Sequence, residues 1–117
     1  MKDKMEECTF CKIVKGEIPK DFTYEDDNFV AFPDSNPRTE GHTLIVSKKH
    51  FRNLLDMPVS LGNELLEMIK KVSLKLIGEN KGDGVKVVCN NESNAGQVVF
   101  HVHVHVIPMK KGDNVEI

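Results

Sequence analysis

Five consecutive residues hold the densest chemistry in the chain, His101-Val102-His103-Val104-His105. Read as a β-strand, the run points successive side chains to opposite faces, so three imidazoles line one side about 6.6 Å apart while Val102, Val104 and Val106 turn to the core. A helix would scatter them. Three of the chain's five histidines therefore share a face whose back is aliphatic, which a merely polar strand surface does not require. Two chemistries suit that face. Histidines at i and i+2 on a strand can hold a catalytic zinc whose bound water is the nucleophile. Alternatively, one imidazole attacks an electrophile while the others orient it and bind anionic oxygens. The second suits phosphorus. An imidazole with a pKa of about 6.5 is available as the neutral base at pH 7, and the phosphoramidate it forms is labile enough to hydrolyse in a second step. Upstream, Gly96 lets the backbone come close to a phosphate, and Asn90 and Gln97 offer neutral donors beside it.

Cysteine usage gives a second cluster. Cys8 and Cys11 form a C-x-x-C pair, whereas Cys89 ends the apolar run Val85-Lys86-Val87-Val88-Cys89 and reads as buried strand packing. Three cysteines do not make a disulfide framework. The pair alone leaves metal binding, redox chemistry and simple packing open, although no βαβ unit of the kind that usually carries a redox C-x-x-C is visible.

The elements that must position these residues follow from periodicity and turn residues. Phe10–Pro19 reads as a short helical turn stopped by Gly16 and Pro19. Phe22–Glu25 and Asn28–Phe32 flank Asp26-Asp27 as a tight hairpin, and Thr43–Ser47 is a third strand entered from the turn-rich residues 33–41. Between Pro58 and Asn80, Leu61, Leu65, Met68, Ile69, Val72, Leu76 and Ile77 recur at three- and four-residue steps, which predicts one amphipathic helix packed on the sheet. Lys81-Gly82-Asp83-Gly84 ends it. Val85–Cys89 and Val98–Ile107 complete the strands. Few helices and short connections predict an α+β fold, an antiparallel five-stranded sheet with one long and one short helix.

At 117 residues, without repeats or a Pro/Gly/Ser linker, the chain reads as one domain over residues 1–117. Hydrophobic residues at 39% and charged residues at 29% exclude a disordered or fibrous chain. No apolar run is long enough to span a bilayer and the opening MKDKMEE lacks a signal peptide's apolar segment, so the expected location is the cytoplasm. A net charge of −2 gives no broad attraction for nucleic acid or anionic membrane, and the scattered Lys-Lys pairs read as solvated surface.

The run from Gly96-Gln97 through His101-Val102-His103-Val104-His105-Val106-Ile107 to Pro108 resembles the signature of the histidine triad (HIT) family. The likeness extends to Cys8–Pro19, Tyr24–Asp27, Phe29–Asp34 and Gly41–His50. It implies a HIT-like fold and a nucleotide hydrolase or nucleotidyl transferase working through a nucleotidyl-histidine, usually as a homodimer. By position, His103 is then the nucleophile, His105 the residue that contacts phosphate and leaving group, and His42 the histidine that supports the network. Asn90, Gly96 and Gln97 match the phosphate-contacting loop. Asp34 matches the carboxylate that accepts from the ribose hydroxyls. Phe10, Ile13, Ile18 and Phe32 match the walls of the purine slot, though as sequence they read equally well as plain core. Val98 stands where eukaryotic members often have serine, so a hydroxyl contact to phosphate is missing and only the Val98 backbone N–H remains to donate.

Members of the bacterial branch with this N-terminal pair and a Lys-Lys-His bind zinc. Here Cys8, Cys11, His50 and His101 would make a closed, structural Cys₂His₂ site with no position left for water. His101 would then fix the strand that carries His103. Phosphoramidates, dinucleoside polyphosphates and related purine nucleotides are the implied substrates. A non-catalytic nucleotide-binding adaptor and a zinc hydrolase using all three triad histidines stay open as alternatives.

Overall fold

The computed structural model describes residues 7–117; the opening stretch read for a signal peptide lies, up to Glu6, outside them. Strands β1 (Tyr24–Glu25), β2 (Phe29–Pro33), β3 (Thr43–Ser47), β4 (Gly84–Val88) and β5 (His103–Met109) form one antiparallel sheet in the order β1-β2-β3-β5-β4. Helices α1 (Thr9–Val14) and α2 (Gly62–Gly78) complete the α+β arrangement that the sequence predicts. The β1–β2 hairpin closes on Asp26, whose Oδ1 accepts from the N–H groups of Asn28 at 2.8 Å and Phe29 at 2.7 Å. That is the turn-forming habit of aspartate.

Both faces of the sheet are covered. On one, Phe29, Ala31, Ile45, Val104 and Val106 pack against Met68, Val72 and Leu76, the i, i+4, i+8 stripe of α2. On the other, Val30, Phe32, Leu44 and Val46 pack against Phe10 and Ile13 of α1. Strands β2 and β3 are therefore apolar at successive positions rather than alternating. The β3–β5 register pairs Leu44 with His105 and Val46 with His103, which places both imidazoles on the α1 face.

Several boundaries differ from the sequence reading, two of them in the elements that carry the core and the site. Helix α2 begins at Gly62, after a single 3₁₀ turn over Val59–Leu61, and not at Pro58. Strand β5 begins at His103, five residues later than the expected Val98. A strand needs a partner, and β3 ends at Ser47, whose carbonyl accepts from His101 Nε2 at 2.7 Å while the Val102 N–H donates to Phe51 O at 2.7 Å. Residues 97–102 are thus tied to the loop after β3. Only two of the three triad imidazoles stand on the strand.

Gly41 sets the entry to β3. Its φ is +98°, and a Cβ there would lie 3.0 Å from Leu76 and 3.3 Å from Pro108, so a larger residue would be both strained and crowded. The loop is closed by the Asp34 N–H donating to His42 O at 3.0 Å, which keeps the Asp34 and His42 side chains adjacent.

Met68, only 1% exposed, sits at the centre of the α2 face. Met68→Ala should destabilise the fold by about 2–5 kcal/mol, read from chemical denaturation; a loss under about 1 kcal/mol would show that α2 does not seal this core.

Candidate active site and metal cluster

His103 is 9% exposed at the start of β5, and its Nδ1 lies 2.7 Å from the carbonyl oxygen of His101. A carbonyl only accepts, so neutral His103 carries its proton on Nδ1 and keeps its lone pair on Nε2. Burial pushes its pKa below the ordinary value, against the opposing pull of that carbonyl and of Asp34. The ring is a neutral imidazole at pH 7. Phe10 packs edge-on against it at 5.1 Å and against His101 at 5.9 Å, filling the corner between them.

A relay of imidazoles lies beside it. The Arg38 backbone N–H donates to His42 Nδ1 at 3.0 Å, so neutral His42 holds its proton on Nε2 and donates it to His105 Nδ1 at 2.9 Å. His105 then carries its own proton on Nε2, as a donor. Asp34 Oδ2 is 3.4 Å from His42 Nε2 and 3.9 Å from His105 Nδ1. Burial lowers the pKa of both rings; for His105, burial followed by its neighbours His103 and His42 brings it to about 4. Asp34, His42 and His105 lie close enough to suggest an ion site. The relay argues otherwise, because the His42 nitrogen facing Asp34 and His105 carries a proton rather than a lone pair.

These residues open onto a cavity of about 710 Å³, a size that suits a nucleotide. Phe10, Ile13, Ile18 and Phe32 wall its apolar end together with Leu44, while Asp34, Asn90, Gly96, His103 and His105 supply polar groups. Val98 lies at the rim, 84% exposed. Lys20 and Arg38 also line the cavity. Sequence reasoning missed both, since neither stands in a pattern that distinguishes it from surface charge. Gly96 has φ +95°, and a Cβ there would press to 3.2 Å on Asn90 Nδ2, so the two residues fit together only with glycine between backbone and amide.

Gln97 is placed otherwise. It is 4% exposed and does not line the cavity. Its Nε2 donates to Arg52 O at 2.7 Å and Val99 O at 3.1 Å, while its Oε1 accepts from the Glu92 N–H at 2.8 Å and Asn53 Nδ2 at 3.1 Å. Every hydrogen-bonding position of the amide is filled from within, so its side chain braces the loop.

Behind His103, Cys8, Cys11, His50 and His101 bring their ligand atoms within 4.8 Å of one another. The Sγ–Nδ1 separations are 3.3 Å for Cys8–His101, 3.2 Å for Cys11–His50 and 3.5 Å for Cys11–His101. Around a tetrahedral zinc with bonds of about 2.3 Å to sulfur and about 2.1 Å to nitrogen, such edges measure about 3.6 Å. His101 Nε2–H is held by Ser47 O, which leaves Nδ1 as the free lone pair facing the sulfurs. Burial, then Cys8, raises the Cys11 thiol to about 11, the opposite of a reactive redox thiol. Cys8 also caps α1 by accepting from the Cys11 N–H at 3.4 Å. This donor set fits a metal ion. The three triad imidazoles form no such group among the described residues.

Two solved structures share this fold. One from Streptococcus mutans UA159 aligns with a TM-score of 0.89 and 43% identity, covering 100% of this chain and 74% of that one. A Zn-bound histidine triad family protein from Mycobacterium smegmatis aligns with a TM-score of 0.88 and 33% identity, covering 97% and 83%. The chain belongs to the HIT domain family, which it matches over residues 15–112. Among its relatives, an uncharacterized HIT-like protein of Methanocaldococcus jannaschii is 46% identical over 108 residues, 91% of this chain and 81% of that protein. The adenylylsulfatase HINT3 of Arabidopsis thaliana is 37% identical over 107 residues, 92% of this chain but 54% of that longer protein.

The lowered pKa values have a consequence for stability. Unfolded histidine takes a proton near pH 6.5, whereas folded His105 resists it until about pH 4. Between those values the unfolded state binds more protons, so stability is complete above pH 6.5 and falls as pH drops towards 4. The denaturation midpoint should decline from pH 7 to pH 5, and less steeply in His105→Gln; equal slopes in the two proteins would remove His105 as a source.

Proposed function

We propose that the chain is a nucleotide hydrolase or nucleotidyl transferase, acting through a covalent nucleotidyl-histidine on His103 at the α-phosphate of purine nucleotides. The observation that carries this is the bond from His103 Nδ1–H to the His101 carbonyl, which reserves Nε2 for attack in a residue lining a nucleotide-sized cavity. An adenylylsulfatase among the relatives supports an adenylylated substrate.

In this reading the base enters between Phe10, Ile13, Ile18 and Phe32, and Asp34 accepts from the ribose hydroxyls. Asn90 and the backbone around Gly96 and Val98 donate to the phosphate oxygens, and Gln97 keeps that backbone in place. His103 Nε2 attacks phosphorus, forming a P–N bond as the bond to the leaving group breaks. The charge that develops on the ring is met by the His101 carbonyl through Nδ1–H. The His105 Nε2–H, oriented through His42, donates a hydrogen bond to the departing group. Water then adds to phosphorus and the P–N bond breaks, restoring neutral His103. One water is consumed overall, its hydroxyl going to the nucleoside monophosphate and its remaining proton to the leaving group.

Cys8, Cys11, His50 and His101 would hold a structural zinc, which supplies a cross-link with all four positions filled by protein. The assembly is read as a cytoplasmic homodimer, on family resemblance.

His103→Ala should abolish turnover of an adenosine phosphoramidate, by at least about 10³-fold, while AMP binding measured by calorimetry persists. Full activity in that variant would remove the nucleophile assignment. Elemental analysis should find one zinc per chain, and Cys11→Ser should lose it and lower the melting temperature; a metal-free protein as stable as the metal-loaded one would rule out a structural role.

A further inference from the structure

The proposed chemistry uses Asn90 and Gly96 in the loop before β5 but gives no role to Glu92 between them. Glu92 has φ 81° and ψ 158°, a region that glycine enters freely and residues bearing a Cβ avoid. Asn80, also at positive φ with 59°, is of a type that tolerates the left-handed region. Glutamate has no such excuse. Strain of this kind persists only where the surroundings hold it.

The holding groups are explicit. Glu92 Oε2 accepts from Arg52 Nε at 2.8 Å and Asn53 Nδ2 at 2.7 Å, and Oε1 accepts from Arg52 Nη2 at 3.0 Å. The Arg52 guanidinium lies 4.2 Å over the Phe100 ring. The Glu92 N–H donates to Gln97 Oε1 at 2.8 Å, and its carbonyl accepts from the N–H groups of Ala95 at 3.0 Å and Gln97 at 3.1 Å. The Asn53 side-chain amide, in a residue 2% exposed, bridges Glu92 and Gln97. A half-exposed ion pair contributes little by itself. Here the forked geometry, the stacking on Phe100 and the shared Asn53 fix its orientation.

We propose that Glu92 is a positioning residue: clasped by Arg52 and Asn53, it holds residues 90–97 in the turn that presents Asn90 and the Gly96 backbone to the cavity, and fastens that loop to the segment after His50. This rests on residues 90–97 being the phosphate-binding loop. Hydrogen bonds from Arg52 and then Asn53 hold the Glu92 carboxyl down at about 2, so the clasp is ionised throughout the neutral range.

Substitution separates clasp from strain. Glu92→Gly removes the carboxylate and supplies a residue that reaches this backbone geometry freely, so the fold is preserved while the loop is released. The full chain, the Glu92→Gly and Arg52→Gln variants and their combination are compared by amide hydrogen exchange over residues 90–97, by AMP titration and by thermal melting. The expected result is a Glu92→Gly protein that melts close to the parent, whose loop amides exchange about tenfold faster and whose AMP affinity falls about tenfold. Over residues 90–97 the double variant should exchange no faster than Glu92→Gly, since the Arg52–Glu92 pair is already gone there, whereas loss of the Arg52 stacking on Phe100 is read separately in the melting of Arg52→Gln. Unchanged loop exchange overturns the proposal whatever happens to AMP. Faster exchange with unchanged AMP affinity overturns the positioning role. A parent chain that binds no AMP refutes the nucleotide reading instead, and loop exchange alone then decides whether the clasp exists.

Discussion

One residue joins the two halves of this site. The His101 ring faces the cysteine pair through Nδ1 and is anchored through Nε2 on Ser47 O, while the carbonyl of the same residue accepts from His103 Nδ1. Ring and carbonyl belong to one residue held at both ends, the ring on Ser47 O and the following peptide plane by the Val102 N–H donating to Phe51 O at 2.7 Å, which aims the carbonyl. That carbonyl fixes the His103 tautomer, and the tautomer decides which nitrogen is left with a lone pair. The free Nε2 lone pair of His103 is therefore set by geometry behind the ring, not by a carboxylate paired with it.

Burial sets the protonation of the site. Desolvation is the largest influence on His42, His101, His103 and His105, and in each case it favours the neutral ring. Asp34 opposes this for three of them without prevailing. Two of these uncharged imidazoles, His42 and His105, can then be ordered by direction of donation alone, starting from Arg38 N–H, because neither ring competes as a cation for the same acceptor. The apolar cover from α1 and strands β2 and β3 is thus an electrostatic device as well as a core.

The sheet, both helices and the common face of His103 and His105 were legible in the sequence because period-two and period-3.6 patterns belong to the segment that carries them. The start of β5 was not. Val98–Val102 has strand composition, but pairing depends on where β3 ends, and Ser47 lies some fifty residues away. The role of the Gln97 side chain was hidden for the same reason: its partners Arg52 and Asn53 come from a distant loop, and an exposed phosphate donor and a buried brace look alike in sequence. Phe10, Ile13 and Phe32, which read equally as core or cavity wall, prove to be both, each buried in the cluster on the α1 face while lining the cavity. Lys20 and Arg38 left no trace, since a single charge on a turn carries no period.

Cys8 and His101 are 93 residues apart in the chain and 3.3 Å apart in the fold. The cluster therefore closes a loop spanning most of the polypeptide, and such a closure is among the last contacts that a folding chain can make. During synthesis, the cysteines and α1 leave the ribosome long before their histidine partner at position 101 exists. His103 is two residues further on. A growing chain thus has neither the Cys/His cluster nor the shared face of His103 and His105 until the last strand, β5, is made.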